Sequence, residues 1–269
     1  MRRQDLDAQA ERALTQRSAW MFGFFAGVFR QAFKRDFHAM RVSRSGPAPD
    51  PATPRLVLYA NHPSWWDAVA FVLLADTVFA GRPGYVPIDA RMLRRYGFMA
   101  RIGAFGVDLE SPTGGAAFLA TARKILDKPD GLLLVTAQGR FADVRERPIQ
   151  LRPGLAHLVQ QRPDATFVPL ALDYVFWDER QSELLIRFGR PLSSASLSDL
   201  SVLERSAALG RALEDTMDAL TAEAIARDPD AFRTLVSGRV GVGGVYDLWR
   251  RARALLRGER FSPAHGDAP

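Results

Sequence analysis

The chain has 269 residues and a formal net charge of +6, with 36 lysines and arginines against 30 aspartates and glutamates, so anionic partners are expected. At 47% hydrophobic and 25% charged residues the composition is that of a globular protein, neither a bundle of membrane spans nor a disordered chain. There is no cysteine, which excludes disulfides, thiolate metal ligands and a cysteine nucleophile, and the four histidines at 38, 62, 157 and 265 have no metal-site spacing.

In residues 20–40, Phe22, Phe25, Phe29, Phe33, Phe37 and Met40 recur at helical spacing, with Arg30, Lys34, Arg35 and Arg41 interleaved. The segment reads as a basic amphipathic helix whose phenylalanine face meets an anionic membrane interface or packs on the core. Its uninterrupted apolar part, 19–29, is shorter than the roughly 20 residues that span a bilayer, and Asp5, Asp7 and Glu11 are foreign to a secretory leader. A proline-rich linker, Ser43-Arg44-Ser45-Gly46-Pro47-Ala48-Pro49-Asp50-Pro51, separates it from Arg55-Leu56-Val57-Leu58-Tyr59-Ala60, a short apolar run that reads as a buried strand. The strand gives way to Asn61-His62-Pro63-Ser64-Trp65-Trp66-Asp67, then to a helix over 67–75 for which Ser64 is the expected N-cap. Two readings of this turn stand side by side. A histidine whose second nitrogen is held by an aspartate is a good base near neutral pH. Ser64-x-x-Asp67 is equally a capping box, with His62 as an ordinary loop residue.

A basic helical stretch at 91–98 leads into a glycine-punctuated short strand at 102–108, and a second helix leads into the buried strand Gly131-Leu132-Leu133-Leu134-Val135. That strand opens onto Thr136-Ala137-Gln138-Gly139-Arg140. Residues 167–172 form a further strand, whose Pro169 suggests an edge or a bulge, and residues 187–192 close the last one. A helix follows over 197–227, ended by Asp228-Pro229; glycines at 238–244 read as a hinge, 245–257 as a second basic amphipathic helix, and 263–269 as a disordered tail. The alternation predicts an α/β fold with a mixed, mostly parallel sheet flanked by helices and amphipathic helical extensions at both ends. It divides the chain into a helical region with linker at 1–54, an α/β domain at 55–193 and a helical region at 194–269.

Over residues 55–192 these segments, in this order, resemble the four motif blocks of the PlsC-type lysophospholipid and glycerolipid acyltransferase family. The first block matches fully in Asn61 to Asp67; the second matches at Gly103, Val107 and Asp108 but has Leu109 where the family usually has arginine. In the third, Thr136-Ala137-Gln138-Gly139-Arg140-Phe141 stands where Phe-Pro-Glu-Gly-Thr-Arg is usual; the fourth, Val168-Pro169-Leu170-Ala171, fits. The resemblance implies transfer of a fatty acyl group from a coenzyme A or acyl-carrier-protein thioester, as co-substrate and with no bound cofactor, to a hydroxyl of a lysophospholipid or similar acceptor. His62 would be the general base and Asp67 its orienting partner, in one step without an acyl-enzyme, with amides at the start of the helix near Ser64 as candidate oxyanion donors. Substrate contacts are expected from Asn61, Gln138, Gly139, Arg140 and Arg145, with Arg147 and Arg152 crowding the same region; each arginine reads equally as part of a solvated basic loop. The expected partners are membrane lipids, as acceptor and anionic surface, the thioester donor and an acyl carrier protein, but not nucleic acid, for which no reading motif is present. The expected location is cytoplasmic, peripheral to the inner face of the cell membrane. The competing reading keeps the fold and drops the chemistry: a lipid-binding protein with basic helices at both ends.

Overall fold

The computed structural model describes residues 3–239 except Pro112; the second basic amphipathic stretch, most of the glycine hinge and the tail lie outside the described residues. In chain order the elements are α1 (Arg3–Gln16), α2 (Ala19–Asp36), β1 (Ala39–Ser43), β2 (Leu56–Ala60), α3 (Asp67–Thr77), β3 (Gly84–Asp89), α4 (Ala90–Arg95), α5 (Phe98–Arg101) and β4 (Ala104–Val107). They continue with α6 (Gly114–Leu126), β5 (Leu132–Thr136), α7 (Gly154–Gln161), β6 (Thr166–Val175), β7 (Glu183–Phe188), β8 (Leu192–Ser193), α8 (Val202–Ala226) and β9 (Phe232–Ser237). The strands form one mixed, mostly parallel sheet in the order β4-β3-β5-β2-β6-β7-β1-β9, with β8 beside β6, so the protein is of the α/β class.

Strand β2 is buried at all five positions. Leu56, Leu58 and Ala60 face a core shared with Phe33 of α2 and Phe71, Leu73 and Leu74 of α3. Val57 and Tyr59 face the opposite core, with Phe118 and Ile125 of α6, Leu158 of α7 and Leu213 of α8. A strand covered by helices on both faces has no polar side to alternate with, which is why this run is continuously apolar. It pairs in parallel with β5 on one side and β6 on the other, so the carboxyl ends of three neighbouring strands open at one edge.

Five elements depart from expectation. The phenylalanine helix ends at Asp36, and Met40 instead lies in β1, which pairs with β7 and β9; the helical spacing of Phe37 and Met40 was accidental. Strands β1, β3 and β9 were not expected, and because β1 and β9 complete the sheet, it draws strands from before residue 55 and after residue 193. The proline at 169 is not at an edge, since β6 lies between β2 and β7. The Pro169 carbonyl accepts the Gly189 N–H at 2.9 Å, and its missing N–H falls on that same side, where the partner of β6 changes from β8 to β7.

The faces of α2 are also reassigned. Phe25 stacks on Phe98 at 4.5 Å, Ala26 packs with Val72 and Ile102, and Phe33 is fully buried, so the phenylalanine face belongs to the core. The outward face carries Trp20, Phe24 and Val28, one turn apart, at 72%, 54% and 44% exposure. Truncating Phe33 to alanine should therefore lower stability by about 3–5 kcal/mol, whereas Trp20→Ala should change it by less than about 0.5 kcal/mol. Urea unfolding of the two variants checks this, and equal losses would contradict the assigned faces.

Candidate active site

The site forms where β2 leaves the sheet. Beyond Ala60 the Asn61 side chain continues the ladder: its Nδ2 donates to the Leu172 carbonyl at 2.9 Å and its Oδ1 accepts the Leu172 N–H at 2.8 Å. Asn61 is 1% exposed, so its amide fastens the turn to β6 and is not available to a substrate, contrary to expectation. On the other side the loop after β5 docks onto the same turn, with Ala137 N–H donating to the Ala60 carbonyl at 2.8 Å and Ala142 N–H to the His62 carbonyl at 3.0 Å. The first and third sequence motifs are thereby held together by backbone hydrogen bonds, independent of the side chains they carry.

His62 Nδ1 meets Asp67 Oδ2 at 2.6 Å. The same oxygen accepts the Ser64 N–H at 3.1 Å, and Oδ1 accepts the Tyr174 hydroxyl at 2.7 Å. Asp67 is completely buried, and these three donors are what a carboxylate withdrawn from water requires. Burial first, then the facing charge of Asp67, keeps the Tyr174 hydroxyl protonated far above the usual tyrosine range, so it serves as a donor. An acceptor at Nδ1 fixes the proton there and leaves Nε2 as the basic nitrogen of a side chain that is 20% exposed. Phe141 lies against the imidazole, with ring centroids 4.3 Å apart.

The two readings of Ser64-x-x-Asp67 thus converge on one carboxylate, which takes the Ser64 amide as a capping box would and the imidazole as a catalytic pair would. Ser64 is not the N-cap of α3, which begins at Asp67 with Trp66 in the cap position; the Ser64 hydroxyl accepts the Trp66 N–H at 3.1 Å instead. Because Asp67 N–H donates to the Ser64 carbonyl at 3.2 Å, the amides of Ser64, Trp66 and Asp67 all have acceptors already, and none of these three is free for an oxyanion.

The expected substrate contacts divide. Gly139 adopts φ +63°, and a Cβ there would stand 2.9 Å from Arg152 Cγ, so glycine is required both by its backbone and by the packing of Arg152. Gln138 is 5% exposed, with an Oε1 that has no hydrogen-bond partner among the described residues. Arg140 is paired with Glu146, Arg145 with both oxygens of Asp143 at 2.8 and 2.7 Å, and Arg147 with Asp218, so three of the four arginines are neutralised by neighbours. For these, the solvated-loop reading describes the geometry better than the phosphate-gripping one.

A cleft of about 420 Å³ begins at Pro63 and Ser64, directly after His62. Phe37, Trp66, Tyr174 and Phe176 supply its aromatic walls, and Asp143 and Asp173 its charges; neither Leu109 nor Gln138 lines it. Sequence reasoning missed Tyr174, although extending the alternation of Leu170 and Leu172 by one more step puts it on the face that α3 covers. Burial pushes the Asp173 carboxyl above the usual aspartate range; the Tyr174 amide and Arg145 oppose this, and Asp143 adds to it.

No family model matches the chain, and no curated protein matches it.

Two outcomes follow from this geometry. Asn61→Ala leaves the buried Leu172 amide and carbonyl without partners and should cost about 2–4 kcal/mol in urea unfolding. A carboxyl whose folded pKa is raised favours the folded state when protonated, a contribution present below the unfolded value and lost as pH rises through the folded one. Asp173→Asn should accordingly reduce the fall in stability between mildly acidic and neutral pH; an unchanged slope would mean that the carboxyl is compensated.

Proposed function

We propose that the protein transfers an acyl group from a thioester to a hydroxyl of a lysophospholipid or similar glycerolipid acceptor, with His62 as general base. As the acceptor oxygen attacks the thioester carbonyl, its proton passes to His62 Nε2; the ester C–O bond forms, the C–S bond breaks, and the imidazolium returns the proton to the thiolate. Asp67 stabilises the imidazolium, and Tyr174 holds Asp67 in place. The carrying observation is the 2.6 Å pair of His62 with a wholly buried Asp67 whose other oxygen is taken by Tyr174, a residue that also lines the cleft. The resemblance of the four sequence blocks supports the choice of reaction.

The same reading has the protein working peripherally at the inner face of the cell membrane. Among the described residues no helix is long and apolar enough to cross a bilayer. Support for surface attachment comes from the outward row of Trp20, Phe24 and Val28, with Trp20 and Phe24 stacked at 5.9 Å. Exposed Met92 of α4 and Tyr96 just after it, beside Arg94 and Arg95, add apolar and cationic groups suited to an anionic interface.

The test is thioester consumption with a panel of acyl donors and lipid acceptors on anionic vesicles. His62→Ala should reduce transfer by about 10²–10⁴-fold, and Tyr174→Phe should lower kcat by about tenfold with the donor KM unchanged and displace the pH–rate profile. The double variant Trp20→Ser, Phe24→Ser should weaken vesicle binding by at least about tenfold. Vesicle binding without transfer in either wild type or His62→Ala would favour a lipid-binding protein without chemistry.

A further inference from the structure

We infer that the cleft lined by Tyr174, the partner of Asp67, takes a positively charged head group, an amine or quaternary ammonium, as the polar end of the acceptor; this rests on the acyl-transfer reading for the word acceptor and on the cleft itself for the charge. The walls are four aromatic rings, Phe37, Trp66, Tyr174 and Phe176, and the charged lining residues are both acidic, Asp143 and Asp173. Among the described residues no lysine or arginine lines it. A phosphate there would face the Asp173 carboxylate and an Arg145 already engaged by Asp143, whereas an ammonium would meet carboxylate charge and aromatic rings.

The two carboxylates are not equivalent. Asp143 has both oxygens engaged by Arg145, which holds its carboxyl below the usual range. Asp173 forms no ion pair among the described residues and is disfavoured in its charged form by burial. It is the carboxylate that a bound cation would compensate. It also adjoins Tyr174 in β6, so the strand that would hold the head group also holds the catalytic carboxylate. The neighbouring cleft, of about 340 Å³, shares Asp173 and Phe176; its one arginine, Arg227, is paired with Asp178 at 2.9 Å. The cations nearest this region, Arg145 and Arg227, are thus each paired with a carboxylate, Asp143 and Asp178.

The test begins with binding, which needs no turnover. Choline, ethanolamine and glycerol phosphate are titrated into the full chain and followed by tryptophan fluorescence and calorimetry. Choline or ethanolamine should bind and glycerol phosphate should not, and Asp173→Asn should weaken ammonium binding by about tenfold or more. Should that variant fail to fold, Phe176→Ala at a 70% exposed position provides the second reading and should weaken binding severalfold. Glycerol phosphate binding in place of the ammonium probes, or ammonium binding indifferent to both substitutions, overturns the inference.

Turnover then separates the two claims. Lysolipids with ammonium-bearing and phosphate-only head groups are compared as acceptors in wild type, His62→Ala and Asp173→Asn. His62-dependent transfer that prefers the ammonium acceptor and loses this preference in Asp173→Asn supports both. His62-dependent transfer to phosphate-only acceptors, unaffected by Asp173→Asn, refutes the head-group inference and leaves acyl transfer standing. Asp173-dependent ammonium binding with no transfer to any acceptor upholds the ammonium site and removes the acyltransferase reading.

Discussion

The burial of the Asp67 carboxylate is the constraint around which this structure is arranged. A charge with no exposed surface is tolerated only if its oxygens are satisfied, and its three donors come from the turn after β2, the first residues before α3 and the end of β6. Those donors tie the start of α3 to the carboxyl end of the sheet and fix the imidazole in one tautomer. The sheet order makes this possible: β2 lies between β5 and β6 in parallel, so the loops after all three strands emerge side by side. Sites in open α/β sheets form at such strand ends because the backbone there is released from the ladder while its origin stays rigid.

The same economy governs the charges. A net charge of +6 suggests a site rich in free cations, yet Arg140, Arg145 and Arg147 are each engaged by a carboxylate only a short distance away. What remains in the cleft is acidic and aromatic. Apolar surface is divided in a comparable way along α2, where the phenylalanines serve the core and a tryptophan, a phenylalanine and a valine on the opposite face remain in solvent. Both cases separate what a residue type can do from what its neighbours leave it free to do.

The sequence by itself determined the α/β class, the buried strand at β2, the helix over α3 and the strands β5 and β6, and it offered the pairing of His62 with Asp67 as one of two readings of the turn. The fold features rest on local signals: continuous apolar runs bounded by turns, and helical periodicity. Other features escaped because they are decided by what lies across space. Strands β1 and β9 exist because each completes the other's hydrogen bonds from opposite ends of the chain, and Phe37 and Met40 mimicked a helical period that no local rule could reject. The tertiary structure alone assigned Tyr174 to Asp67, turned Asn61 into a backbone clamp, and supplied Arg147 with Asp218 as its partner. In each case the deciding quantity was the burial or pairing of a polar group by residues distant in sequence or shielded by a fold, and a chain read residue by residue does not contain it.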